Sequence, residues 1–232
     1  MFEFEILAQD GNARLGRFHT PHGTVDTPAF MPVGTNATVK ALAPEEIEET
    51  GSRMILANAY HLYLRPGAEV VEQLLALHRF MGWDGPILTD SGGFQVYSLA
   101  PLRKVDADGV TFQSHIDGTT HRFTPESTTR LQEQLGADVI MCLDECPPHD
   151  LPYERIKQSM ELTARWAERC VNAKERGDQA LFPIVQGGVF PELRAESAEA
   201  LSRFDLPGYA IGGLCVGEEK ALKSMGKVTI SK

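Results

Sequence analysis

Short apolar runs in this chain keep ending on acids, amides and glycines. RMILANAY (53–60), PILTDSGG, ADVIMCLDE (137–145), ALFPIVQGG (180–188) and GYAIGGL (208–214) share this form. Between them lie stretches with helical spacing. PEEIEETG (44–51) starts on proline and stops on glycine. Residues 66–82 carry apolar positions at 71, 74, 75 and 81. TPESTTRLQEQLG (124–136) has Thr124 as cap, and residues 154–176 and 191–204 complete the helical set. Strands alternating with helices predict an α/β architecture with a parallel sheet.

Two architectures fit that alternation, an open doubly wound sheet and a (β/α)8 barrel. Asn58, Asp90, Asp144, Gln186 and Gly213 each lie at or near the C-terminal end of a different apolar run. Barrel active sites gather at those ends, which favours the barrel. AFMPV (29–33) is the first of six countable barrel strands. Residues 2–33 otherwise predict antiparallel strands with turns at DGNA and PHGT. Residues 103–123 predict an inserted hairpin turning at Asp108-Gly109 and Asp117-Gly118.

The net charge of −10 gives no general attraction to nucleic acid, so any RNA contact requires a local basic patch. Residues 154–176 carry six Lys or Arg but also glutamates, and a solvated helix face explains them. The N-terminus lacks a basic start and a long apolar run, and no stretch approaches the roughly 20 residues of a membrane span. The expectation is a cytoplasmic protein with free thiols and no membrane partner. Cys142, Cys146 and His149 have a C-x3-C-x2-H spacing, but Cys142 falls inside a predicted strand, and no metal ligand is assigned.

Asp90 after a strand reads either as a helix cap or as a site acid. Glycines at 92 and 93 let the backbone turn sharply and approach a ligand closely. Two carboxylates in one pocket suit either glycosidic chemistry or a donor-rich ligand. A guanine-like base offers N1–H and an exocyclic amine side by side, which an ionised carboxylate accepts together. An amide such as Gln186 and a backbone N–H at Gly213 could bind its carbonyl, and Phe94 could stack on the flat ring.

LTDSGGFQVYSL, MCLDECPP, FPIVQGG and GYAIGGLCVGE resemble the tRNA-guanine transglycosylases. LGRFHTPHGTVDTPAFMPVGTNATVKAL and ILANAYHLYLRPG are similar to the same family, so the resemblance covers about residues 1–218. It implies a TIM barrel, incomplete at about six of eight strands, that exchanges guanine at the anticodon wobble position of a tRNA. Asp90 would be the proton acceptor for the incoming base. Ser91, Gly92, Gly93 and Phe94 would line the base pocket, and Asp144 would read the Watson–Crick edge. Gln186 and Gly213 would contact the base carbonyl, and Leu214 and its neighbours the 7-substituent. Cys146, and Val216 after Leu214-Cys215, resemble the bacterial branch, whose incoming 7-deazaguanine base carries a 7-aminomethyl group.

The family's covalent nucleophile is an Asp in D-x-V-x-P-T-R, and its structural zinc is held by C-x-C-x-x-C…H. Neither motif occurs in these 232 residues, so no cofactor is expected on this chain. Residues 219–232 depart from the family motifs and read as a separate basic tail. The resemblance also leaves room for a homodimer. Two other readings remain: a catalytically silent homologue or fragment that binds a base or a partner subunit, and a different barrel hydrolase using Asp90 and Asp144 as its carboxylate pair.

Overall fold

A computed structural model describes residues 1–100 and 102–214. Cys215, Val216 and the 219–232 tail lie outside the described residues. The chain opens with β1 (Glu3–Asp10), β2 (Ala13–Thr20) and β3 (Gly23–Thr27), then β4 (Val33–Gly34) and α1 (Pro44–Glu49). Next come β5 (Ile55–Asn58), α2 (Ala59–Leu64), α3 (Ala68–Gln73), α4 (Ala76–Met81), β6 (Ile87–Asp90) and α5 (Gly93–Leu99). The insert is β7 (Arg103–Asp106), β8 (Gly109–Gln113) and β9 (Thr120–Phe123), followed by α6 (Pro125–Leu135) and β10 (Val139–Met141). The last elements are α7 (Tyr153–Ala173), β11 (Ala180–Phe182), β12 (Ile184–Val185), α8 (Pro191–Ser202) and β13 (Ala210–Ile211).

The fold is mixed α/β. It comprises two compact units, Met1–Ser91 with Arg130–Ile140 and Glu175–Ala180, and Gly92–Thr129 with Met141–Lys174 and the residues from Leu181. In the first, β1, β2 and β3 form an antiparallel meander. The main sheet has the order β11-β10-β6-β5-β4. β4, β5, β6 and β10 pair in parallel, with Asn58 opposite Asp90 at the ends of β5 and β6. Ile55, Ala57, Ile87 and Val139 are essentially sealed from solvent, as expected of strands covered on both faces. Trp83 is buried too, its indole N–H donating to Pro86 O at 3.2 Å.

One clamp holds this unit together. Asp138 accepts the His22 N–H at 3.2 Å, the His22 ring Nδ1 at 2.8 Å, the His78 ring Nε2 at 3.1 Å and the Ile87 N–H at 2.8 Å. Burial opposes ionisation of this carboxyl, but the bonds from His78, Ile87 and His22 win and hold it below the usual carboxylate range.

The second unit contains the meander β7-β8-β9, with its two turns where Asp108-Gly109 and Asp117-Gly118 predict them, and the parallel pair β12-β13. The Trp166 indole N–H donates to Ala107 O at 2.9 Å and ties α7 to the first of those turns. Thr124 caps α6: its Oγ1 accepts the Ser127 N–H at 3.2 Å, and Ser127 Oγ accepts the Thr124 N–H at 2.8 Å.

Four expectations need correction: the first is the strand of 29–33, which is displaced to Val33–Gly34. The helix of residues 66–82 is two helices, α3 and α4, because Leu75 and Ala76 take left-handed φ values of 66° and 68°. The break seats Ala76 against Gly136, where an added Cβ would lie 2.6 Å from the Ala76 methyl. The strand of 180–188 is split at Pro183 into β11 and β12, which belong to different sheets. The strand of 137–145 stops at Met141, so Asp144 lies in the loop beyond it.

Candidate functional site

In the first unit Asp90 closes β6. Its carboxylate accepts the Asn58 side-chain amide, and the Ala59 N–H at 3.0 Å. Asn58 and Ala59 are the cap and first residue of α2. Asp90 therefore does cap a helix, but the one that follows the neighbouring strand rather than its own. Ser91, next to it, is buried.

In the second unit Gly92, with φ of +79°, turns the chain into α5, which begins at Gly93. Phe94 on that helix is 45% exposed. Asp144, Cys146, Gln186 and Gly213 come together. Asp144 is buried and accepts the Gln186 amide N–H at 2.6 Å. The Gln186 main-chain N–H is held by Ser197 Oγ at 3.1 Å. Gly213 has φ of +66°, a conformation that strains any residue with a side chain, and a Cβ there would push on Gln186 Oε1 at 2.5 Å. Leu214 follows, half-buried.

Burial first, and then the Asp144 charge, push the Cys146 thiol up to about 12. Gly213 and Gln186 favour the thiolate but do not overcome that burial. At neutral pH Cys146 is thus a neutral thiol, not a nucleophile.

A cavity of about 390 Å³ opens in this unit, lined among others by Gly93, Tyr97, Arg103, Asp144, Cys146 and Arg155. The Arg103 guanidinium covers the Tyr97 ring at 4.2 Å, and Arg155 pairs with Glu145 on the wall. Tyr97, Arg103 and the Arg155–Glu145 pair were not foreseen. Tyr97 was accessible to sequence reasoning, one helical turn beyond Phe94; the two arginines were not.

His22, His78 and Asp138 are the group of metal-ligand type among the described residues, and Cys142, Cys146 and His149 do not form another. The two imidazoles stack with centroids 3.6 Å apart and planes at 19°. In-plane lone pairs of nearly parallel rings do not converge on one ion at about 2.1 Å. Each nitrogen instead meets its own oxygen of Asp138. The group is a hydrogen-bonded clamp.

Residues 9–230 match the family model described as "TGT: Queuine tRNA-ribosyltransferase", further than the 218 reached by the motifs. The chain is 60% identical over 219 residues to a queuine tRNA-ribosyltransferase of Herpetosiphon aurantiacus, covering 94% of this chain and 56% of that protein. It is 60% identical over 221 residues to that of Pelotomaculum thermopropionicum, covering 94% of this chain and 60% of the relative. For the Thermus thermophilus protein the figures are 58% over 219 residues, 94% and 57%. The chain thus spans less than two thirds of the length of these relatives. The match over almost all of its residues means that this chain belongs to the queuine tRNA-ribosyltransferase family.

Proposed function

We propose that this chain carries the base-reading part of a tRNA-guanine transglycosylase, which exchanges guanine at the anticodon wobble position for 7-aminomethyl-7-deazaguanine. The carrying observation is the grouping of Asp144, Gln186 and Gly213 beside Cys146. A carboxylate there accepts the N1–H and 2-amine of a guanine. The Gly213 N–H and the Gln186 amide, side by side next to Asp144, would donate to the base carbonyl. Phe94, with nearly half its surface open, is the ring on which the base stacks. Leu214 would meet the 7-substituent.

Asp90 would take the proton from the incoming base. Its bonds to Asn58 and Ala59 fix the direction of the carboxylate. The target nucleotide must leave its stack, which costs a few kcal/mol and least in a single-stranded loop. An anticodon loop of a cytoplasmic tRNA meets that condition. These 232 residues contain neither the family's D-x-V-x-P-T-R motif nor its zinc ligands, so none of them is proposed as the covalent nucleophile.

The parallel strands also fit a (β/α)8 barrel. Their order from β4 to β11 follows the chain without reversal. A doubly wound sheet reverses its order at a switch point. Among the described residues β4 and β11 are the edges of this sheet, where further strands or a second copy would pair.

Labelled guanine exchange into unmodified tRNA, with Asp90→Asn as control, tests the reading. Base binding together with exchange supports the full activity. Base binding without exchange supports a base-binding partner subunit. No affinity for guanine overturns the proposal.

A further inference from the structure

Arg194, on the second turn of α8, is completely buried. Its Nε donates to Gly188 O at 2.7 Å and its Nη2 to Gly212 O at 2.8 Å. Gly188 lies just past β12, and Gly212 just past β13. These two strands pair in parallel, Val185 opposite Ile211. One guanidinium therefore bridges the loops that leave two neighbouring strand ends. Gln186 stands at the start of one loop and Gly213 follows in the other.

The fit around the fork is tight. A Cβ at Gly187 would lie 2.8 Å from the Arg194 main-chain nitrogen and 3.0 Å from its Cγ. One turn along the same helix face, Ser197 holds the Gln186 N–H. A fully buried cation is a poor choice for simple cohesion, since apolar packing of the same volume often stabilises as well. A planar fork gives something packing does not, a fixed spacing between two acceptors.

We propose that Arg194 is a positioning residue that sets the spacing of the two donors reading the base carbonyl, the Gln186 amide and the Gly213 N–H. This rests on the base-binding reading above. Arg194 acts through the loops on the 6-oxygen side of the base, whereas Asp144 answers the N1–H and 2-amine side.

Calorimetry on the 232-residue chain with three bases separates the two sides. Hypoxanthine keeps the carbonyl and N1–H but lacks the 2-amine. 6-Thioguanine keeps N1–H and the amine but replaces the oxygen with a weak acceptor. For Arg194→Met and Arg194→Lys, guanine affinity should fall about tenfold. The preference for guanine over 6-thioguanine should collapse towards unity, while that for guanine over hypoxanthine persists. Lysine should not rescue, because a point charge does not span two carbonyls at fixed spacing. If Arg194→Met fails to fold, the lysine variant carries the test. Affinities that fall in step for all three bases would mean a general structural role and overturn the assignment, as would wild-type ratios in the lysine variant. A wild-type chain that ignores guanine overturns the base-binding reading and the inference with it. One that binds guanine, with variants whose ratios are unchanged, overturns the inference alone.

Discussion

Asp138 and Asp144 stand six residues apart and do opposite things with the same functional group. Asp138, in the first unit, is surrounded by four donors and sealed from solvent. Asp144, in the second, takes the Gln186 amide and faces a cavity. Burial alone does not separate them, since both are buried. The surroundings do: a carboxylate enclosed by fixed donors holds a fold together, and one bordering open volume has capacity for a ligand.

The sharpest way to break this contrast is Asp138→Ala. It leaves two imidazoles and the Ile87 N–H without their acceptor, and should cost about 3 kcal/mol, roughly 6–12 °C in Tm. A urea or thermal melt within about 0.5 kcal/mol of wild type would show that the clamp is incidental. Asp144→Ala should do the reverse. It should lower guanine affinity about a hundredfold by calorimetry while shifting stability by less than about 1 kcal/mol. Equal affinity in variant and wild type would remove Asp144 from the site.

The pH dependence sharpens the comparison further. The Asp138 carboxyl is held below its unfolded value, so its contribution is complete above about pH 4 and is lost as pH falls through the folded pKa. Glu126, held down to about 2 chiefly by the Arg169 hydrogen bond, follows the same sign. The urea midpoint should therefore decline from pH 5 towards pH 2, with a shallower slope in Asp138→Asn. An unchanged slope would deny Asp138 its share. The smallest effect is expected from Phe94→Ala, a drop in base affinity of about tenfold with stability within about 1 kcal/mol. If Tyr97→Ala carries that loss instead, the stacking ring lies one turn further along α5.

What was legible in the sequence was local. Asn58, Asp90, Gln186 and Gly213 lie at strand ends because an apolar run that stops at a polar or glycine residue has reached the end of its buried path. Thr124 and the two Asp-Gly turns declared themselves by backbone chemistry. The His22–Asp138 contact joins residues 116 apart, and the His78–Asp138 contact residues 60 apart, distances at which no spacing rule operates. The break at Leu75 was hidden for a related reason. Apolar periodicity continues through it, and only the packing of Ala76 on Gly136 reveals the turn. Arg194 was equally silent, the single arginine beside three glutamates in α8.

The chain has two tryptophans, Trp83 and Trp166, both buried and one in each unit. Indole emission shifts to longer wavelength when such a ring meets water. Trp83→Phe and Trp166→Phe therefore yield two spectroscopically distinct proteins, each glowing from one unit only. Titrating both with denaturant separates a chain that melts as one cooperative body, with coincident curves, from one whose halves come apart in sequence.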